Sequence, residues 1–178
     1  MVLLVTAEEL ASHRQDENVD RASAEQAIRT ASAYVESLTG IAFTARTATV
    51  SLPAPAGLEL SVPLRPLRTA SPVLIGETAY TDFTQVGGYL WRASGWRTGT
   101  GPSSVTVTAT YGTDAAPDDI KGVVLEVADE IYEQILAVSS DSIDDQRTAY
   151  TGQLSHISRT TLANYGVGAG TVNIVRSA

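Results

Sequence analysis

Residues 105–121 read Val105-Thr106-Val107-Thr108-Ala109-Thr110-Tyr111-Gly112, then Thr113 to Ala116, then Pro117-Asp118-Asp119-Ile120-Lys121. The hydrophobic period changes inside this stretch. Up to Tyr111, small apolar residues alternate with threonine, the period of a strand with one buried face. Proline then suits a first helical turn, where its missing N–H would go unpaired anyway. The two aspartates complement the positive end of the helix dipole. Ile120, Val123, Val124, Val127, Ile131, Ile135 and Val138 continue as an apolar stripe at helical spacing. Glu126, Asp129, Glu130 and Glu133 cover much of the rest. A strand running into a long amphipathic helix, with no repeating βαβ pattern, argues for an α+β fold.

Upstream, the helical signal comes first. Thr6-Ala7-Glu8-Glu9 is a capping box, in which Thr6 accepts from the Glu9 amide and Glu9 reaches back. It opens a short helix to about Arg14. Ser23 and Gln26 form a second such pair, followed by Ile28, Ala31, Val35 and Leu38 at helical spacing, and Gly40 suits a helix stop. This predicts a helix over 23–39. From Thr44 to Leu52 the period becomes two. Leu58, Leu60 and Val62 alternate again, and Pro63 and Pro66 mark an extended piece that is not a central strand. Val73 to Ile75 precede a turn at Gly76-Glu77, and Tyr89 to Trp91 form another short run. Residues 44–112 thus read as a small antiparallel β-sheet inserted between two helices that pack as a bundle. Ile28, Val35, Leu38, Val124, Val127, Ile131 and Ile135 are the candidate core.

After the long helix, the chain is irregular. Thr160 to Tyr165 suits a helical turn, and Gly166, Gly168 and Gly170 interrupt any element. Thr171 to Val175 is a β-prone run with no local mate, of the kind that adds to a sheet edge of another chain. The division expected is a connector domain over 1–146 and an extended C-terminal arm over 147–178.

Charge sorts along the same boundaries. The net charge is −8, and residues 113–146 hold ten acids against Lys121 alone, while 147–178 hold Arg147, Arg159 and Arg176 and no acid. An acidic chain does not wrap DNA as its main task, because phosphate neutralisation needs clustered Lys and Arg. There is no cysteine, which excludes thiol nucleophiles, zinc knuckles and iron–sulfur sites. No apolar run approaches the roughly 20 residues that span a bilayer. Met1 to Val5 is followed at once by Thr6, Glu8 and Glu9, unlike a signal peptide. The expectation is a soluble chain acting in the cytoplasm that made it, or in a particle assembled there.

No catalytic, cofactor or metal site is expected. His13 and His156 lack a motif that would pair base with nucleophile. Asp141, Asp144 and Asp145 lack the central glycine and closing glutamate of a calcium loop. Gly99-Thr100-Gly101 lacks the lysine of a phosphate loop. Trp91, Arg92, Trp96 and Arg97 could stack single-stranded nucleic acid. A tryptophan packed under the sheet, or a subunit contact, suits them better. The acidic face of the long helix is a solvated surface, a negative lining that repels passing phosphate, or a dock for a basic partner.

The ordered set of pieces resembles the head–tail connector, or neck adaptor, proteins of long-tailed bacteriophages. The resemblance rests on Leu38-Thr39-Gly40, Arg65-Pro66-Leu67, Val73 to Gly76, the strand Val105 to Gly112, Pro117 to Lys121, and Tyr132 about three turns beyond Lys121. It spans roughly residues 20–140. It implies a structural subunit without catalysis, in a ring usually of about twelve copies. Such a ring stacks on the portal, continues the DNA channel and receives a stopper or tail-completion protein. Double-stranded DNA would pass without specific binding, and no membrane is involved. The subunit would reside in the virion neck after assembly in the host cytoplasm. Trp91, Arg92, Trp96, Arg97, Arg147, Arg159 and Arg176 are the candidate subunit or portal contacts, and Glu126, Asp129, Glu130 and Glu133 the candidate channel face. The family's C-terminal region commonly docks on the portal, here from Arg147 onward. Competing readings are a stopper or tail-completion neck protein, a small nucleic-acid-binding module, and a small hydrolase.

Overall fold

The computed structural model describes residues 3–16, 18–98, 103–140 and 154–165. The fold is α+β, in two compact units: residues 1–40 with 116–178, and residues 41–115.

The first unit is helical. Helix α1 (Ala7–Arg14) begins on the expected box, with the Glu9 amide donating to Thr6 Oγ1 at 3.1 Å and the Thr6 amide to Glu9 Oε2 at 2.6 Å. Helix α2 (Arg21–Thr39) starts two residues before the predicted position. Its cap is Asp20, whose carboxylate accepts from the Ser23 amide at 2.8 Å. A carboxylate one turn earlier satisfies the amide that the Ser23 pair would have left open. The helix ends at Gly40, whose φ of 66° is the left-handed stop that glycine adopts without cost.

Helix α3 (Asp118–Ser140) packs along α2 and carries helix α4 (His156–Tyr165). Their core holds Ala24, Ala27, Ile28, Ala31 and Val35 of α2 with Ile120, Val123, Val124, Val127, Ala128 and Tyr132 of α3. Leu38 lies outside it, 42% exposed. Ile131 and Ile135 are half-buried, while the neighbouring Tyr132 is buried. Small alanines on α2 let α3 approach closely enough for a bulky ring. Helix α4 occupies part of the segment expected to be an extended arm. The runs Asp141 to Asp145 and Thr171 to Val175, Gly99-Thr100-Gly101, Arg147 and Arg176 lie outside the described residues.

The second unit is larger than a small inserted sheet. Among the described residues, seven strands form two antiparallel sheets: β1 (Arg46–Pro53), β2 (Glu59–Ser61), β3 (Leu67–Ile75), β4 (Thr78–Tyr80), β5 (Thr84–Val86), β6 (Tyr89–Trp91) and β7 (Ser104–Tyr111). One sheet has the order β1-β7-β3-β4 and the other β2-β6-β5. Leu60, Val62, Leu90 and Trp96 share one core with Val73, Ile75, Val105 and Val107. Pro72 sits in the central strand β3, where the pairing with β7 slips between Ala70 and Val73. An irregularity is where a strand tolerates a missing N–H. Gly112 closes β7 with φ 98°, and its amide donates to the Pro66 carbonyl at 2.9 Å. A Cβ there would overlap the Thr44 carbonyl.

Candidate interaction surfaces

Helix α3 presents the acidic positions singled out in the sequence. Three of the four are engaged within the chain. Arg14, at the end of α1, donates to both Asp129 and Glu133, and its guanidinium lies 4.8 Å from the centre of the Tyr132 ring. Glu126 receives the Ser155 amide at 2.7 Å, the Ser155 hydroxyl at 3.0 Å and the Ser158 hydroxyl. Burial opposes the Glu126 charge, but these serine donors prevail and hold its carboxyl below the ordinary range. Ser155 in turn caps α4, accepting from the Ser158 amide at 3.1 Å. Near the far end of α4, the Tyr165 hydroxyl donates to Asp119. The acidic face therefore fastens α1 and α4 onto α3. Glu130 is half-exposed, and the Glu133 side chain remains 60% accessible despite its bond to Arg14.

The Trp and Arg pairs of the second unit part company. Trp96 is fully buried and its Nε1 donates to the Leu58 carbonyl at 2.8 Å. Arg92 is 7% exposed. Its Nε donates to Asp82 at 2.9 Å, its Nη1 to the Gly95 carbonyl at 2.7 Å, and its guanidinium lies 4.2 Å from the centre of the Tyr80 ring. The hydrogen bond from Arg92 holds the Asp82 carboxyl below its usual range. Both residues tie the unit together internally, which removes them as surface anchors. Arg97 and Arg159 remain exposed, each with its Nε turned to a carbonyl of its own unit, Ala54 and Leu154.

Trp91 is 41% exposed. In the three-stranded sheet it stands between Glu59 and Thr84, next to the row Ser61, Tyr89 and Val86. Tyr89, Trp91 and Val86 thus form an open aromatic and apolar sheet face, with exposed Leu58 beside its start. The pattern of single short strands hid this face, because only the β2-β6-β5 order brings those rows together.

His13 and His156 are both exposed. Among the described residues, no cluster of three or more His, Asp or Glu could hold a metal ion, and no helix is long and apolar enough to cross a membrane.

No family model and no curated protein matches this chain. Solved structures do. A chain in the neck of an empty gene transfer agent particle, computed with C6 symmetry, matches with a TM-score of 0.68 at 18% identity, over 93% of this chain and 90% of that one. The two chains share one fold. The virion of a native gene transfer agent particle contains a match with a TM-score of 0.66 at 18% identity, with the same coverage of 93% and 90%. The neck of the native particle, computed with C12 symmetry, gives 0.62 at 19% identity over 94% and 96%. The likeness covers nearly the whole length in both directions, so it takes in the helical unit and both sheets. At such identity the likeness carries the architecture and not residue roles.

Proposed function

We propose that the chain is a non-catalytic structural subunit of the neck of a phage or phage-like particle. Copies form a ring, twelve in number, that sits between the portal and the stopper or tail-completion protein and continues the channel for double-stranded DNA. The observation that supports this most is the near full-length likeness to chains in particle necks, one of them computed with C12 symmetry. Closed rings arise when one surface patch repeatedly meets a different patch on the next copy. The open face around Tyr89 and Trp91 and exposed Arg97 in the second unit, and exposed Arg159 in the first, supply aromatic and basic contacts of the kind favoured at interfaces. The basic C-terminal segment, with Arg147 and Arg176, is assigned to docking on the portal. Glu130 and Glu133 are assigned to the channel side, where repeated negative charge keeps DNA from adhering. The ring would assemble in the host cytoplasm and remain in the virion.

Particle mass and electron microscopy of the purified chain, alone and mixed with portal rings, test this reading. Annular particles, free or stacked on the portal, are expected. A chain that stays single under both conditions contradicts it.

A further inference from the structure

The longest sheet edge in the described residues is β1. It ends the order β1-β7-β3-β4 and runs for eight residues. The other sheet ends, β4, β2 and β5, are three residues each. Short length is itself a protection, whereas a long edge is usually blunted by charge or proline. Strand β1 carries Arg46 and Pro53 only at its two ends, with Thr, Ala, Val, Ser and Leu between.

Its side chains are also incompletely covered. Val50 and Leu52 stand opposite Val107 and Val105. The β7 valines are fully buried, but Val50 and Leu52 are only half-buried against the same core. On the other face, Thr49 bonds Thr108 at 2.8 Å and Thr47 bonds Thr110 at 3.3 Å, both through hydroxyls, and Ser51 faces Thr106. An added strand would have to bring apolar side chains beside Val50 and Leu52, and short polar ones beside Thr47, Thr49 and Ser51.

The sequence Thr171-Val172-Asn173-Ile174-Val175 has that alternation and no charge: in an extended strand Val172 and Ile174 would share one side and Thr171 and Asn173 the other. Gly166, Gly168 and Gly170 join it to α4. The chain's other terminal apolar run is already used, since Leu4 and Val5 are buried. We infer that residues 171–175 of one copy add to the outer edge of β1 in a neighbouring copy. This rests on the ring reading. Main-chain hydrogen bonds along the edge supply affinity and the alternating side chains supply register.

The cysteine-free background allows a direct test. One preparation carries Thr49→Cys, with Thr47→Cys and Ser51→Cys as register variants, and a second carries Asn173→Cys. Mixed rings are oxidised and resolved by denaturing gel and mass spectrometry. A covalent dimer joining the two variants is expected for one register, and neither variant alone should give it. An intrachain link in the monomeric double variant Thr49→Cys/Asn173→Cys overturns the inference. Images of the same samples separate the two levels. Rings that form without any link overturn the strand exchange and leave the ring standing. A chain that stays single with and without portal rings overturns both.

Discussion

The backbone amide of Asp20 donates to the hydroxyl of Tyr132 at 2.9 Å, so α3 holds the residue that caps α2. The same ring lies under the Arg14 guanidinium. One buried phenol thereby joins three helices of the first unit. Tyr132→Phe keeps the ring and removes the acceptor, and should cost about 1 kcal/mol in urea unfolding. Tyr132→Ala also opens a cavity and should cost about 3–5 kcal/mol. Equal costs for the two would contradict this division of roles.

The two tryptophans should behave as opposites. Trp96→Ala empties the centre of the sheet core and should cost about 3–5 kcal/mol, read from the midpoint of chemical unfolding. Trp91→Ala, on the open face, should change stability by less than about 0.5 kcal/mol. It should nevertheless weaken ring formation, measured as the fraction of annular particles. A stability loss at Trp91 matching that at Trp96 would remove the exposed face from the account.

Gly112 is required by its conformation and its surroundings. With φ at 98° and the Thr44 carbonyl in the place of a Cβ, Gly112→Ala should cost more than about 2 kcal/mol. Gly57, with open space around it and no left-handed φ, serves as the control. Gly57→Ala should shift the thermal midpoint little. Similar midpoints for both variants would refute the claim.

Attachment of α4 should depend on pH. The serine donors hold the folded Glu126 carboxyl below its ordinary value. A depressed carboxylate contributes its stability in full above the unfolded value, and loses it as pH falls through the folded value. Amide protection across residues 156–165 should therefore be steady at neutral pH and drop in acid, as pH falls below the ordinary carboxylate range and through the folded value. In Glu126→Gln that acid step should vanish. A protection profile flat to low pH in the native chain would contradict the role given to Glu126.

Local signals were readable in the sequence where the physics is local. The change of period between Tyr111 and Pro117, the Thr6–Glu9 box and the Gly40 stop all depend on neighbours within one or two turns. Contacts between distant segments left no such trace. Arg14 meets Asp129 and Glu133 across more than a hundred residues, and nothing in the order of side chains marks that pairing. The acidic stripe of α3 accordingly looked like one solvated or channel-facing surface, although Glu126 and Asp129 are bound to Ser158 and Arg14. Leu38 has the spacing of a core residue yet is largely exposed. Trp91 and Trp96 are indistinguishable by pattern, and only the strand order buries one and exposes the other.

Cryo-electron microscopy of intact particles, with this chain labelled, tests the central claim most directly. The account predicts density for a ring of its copies between capsid and tail, around the DNA path. Particles that carry no copy at that position would contradict it.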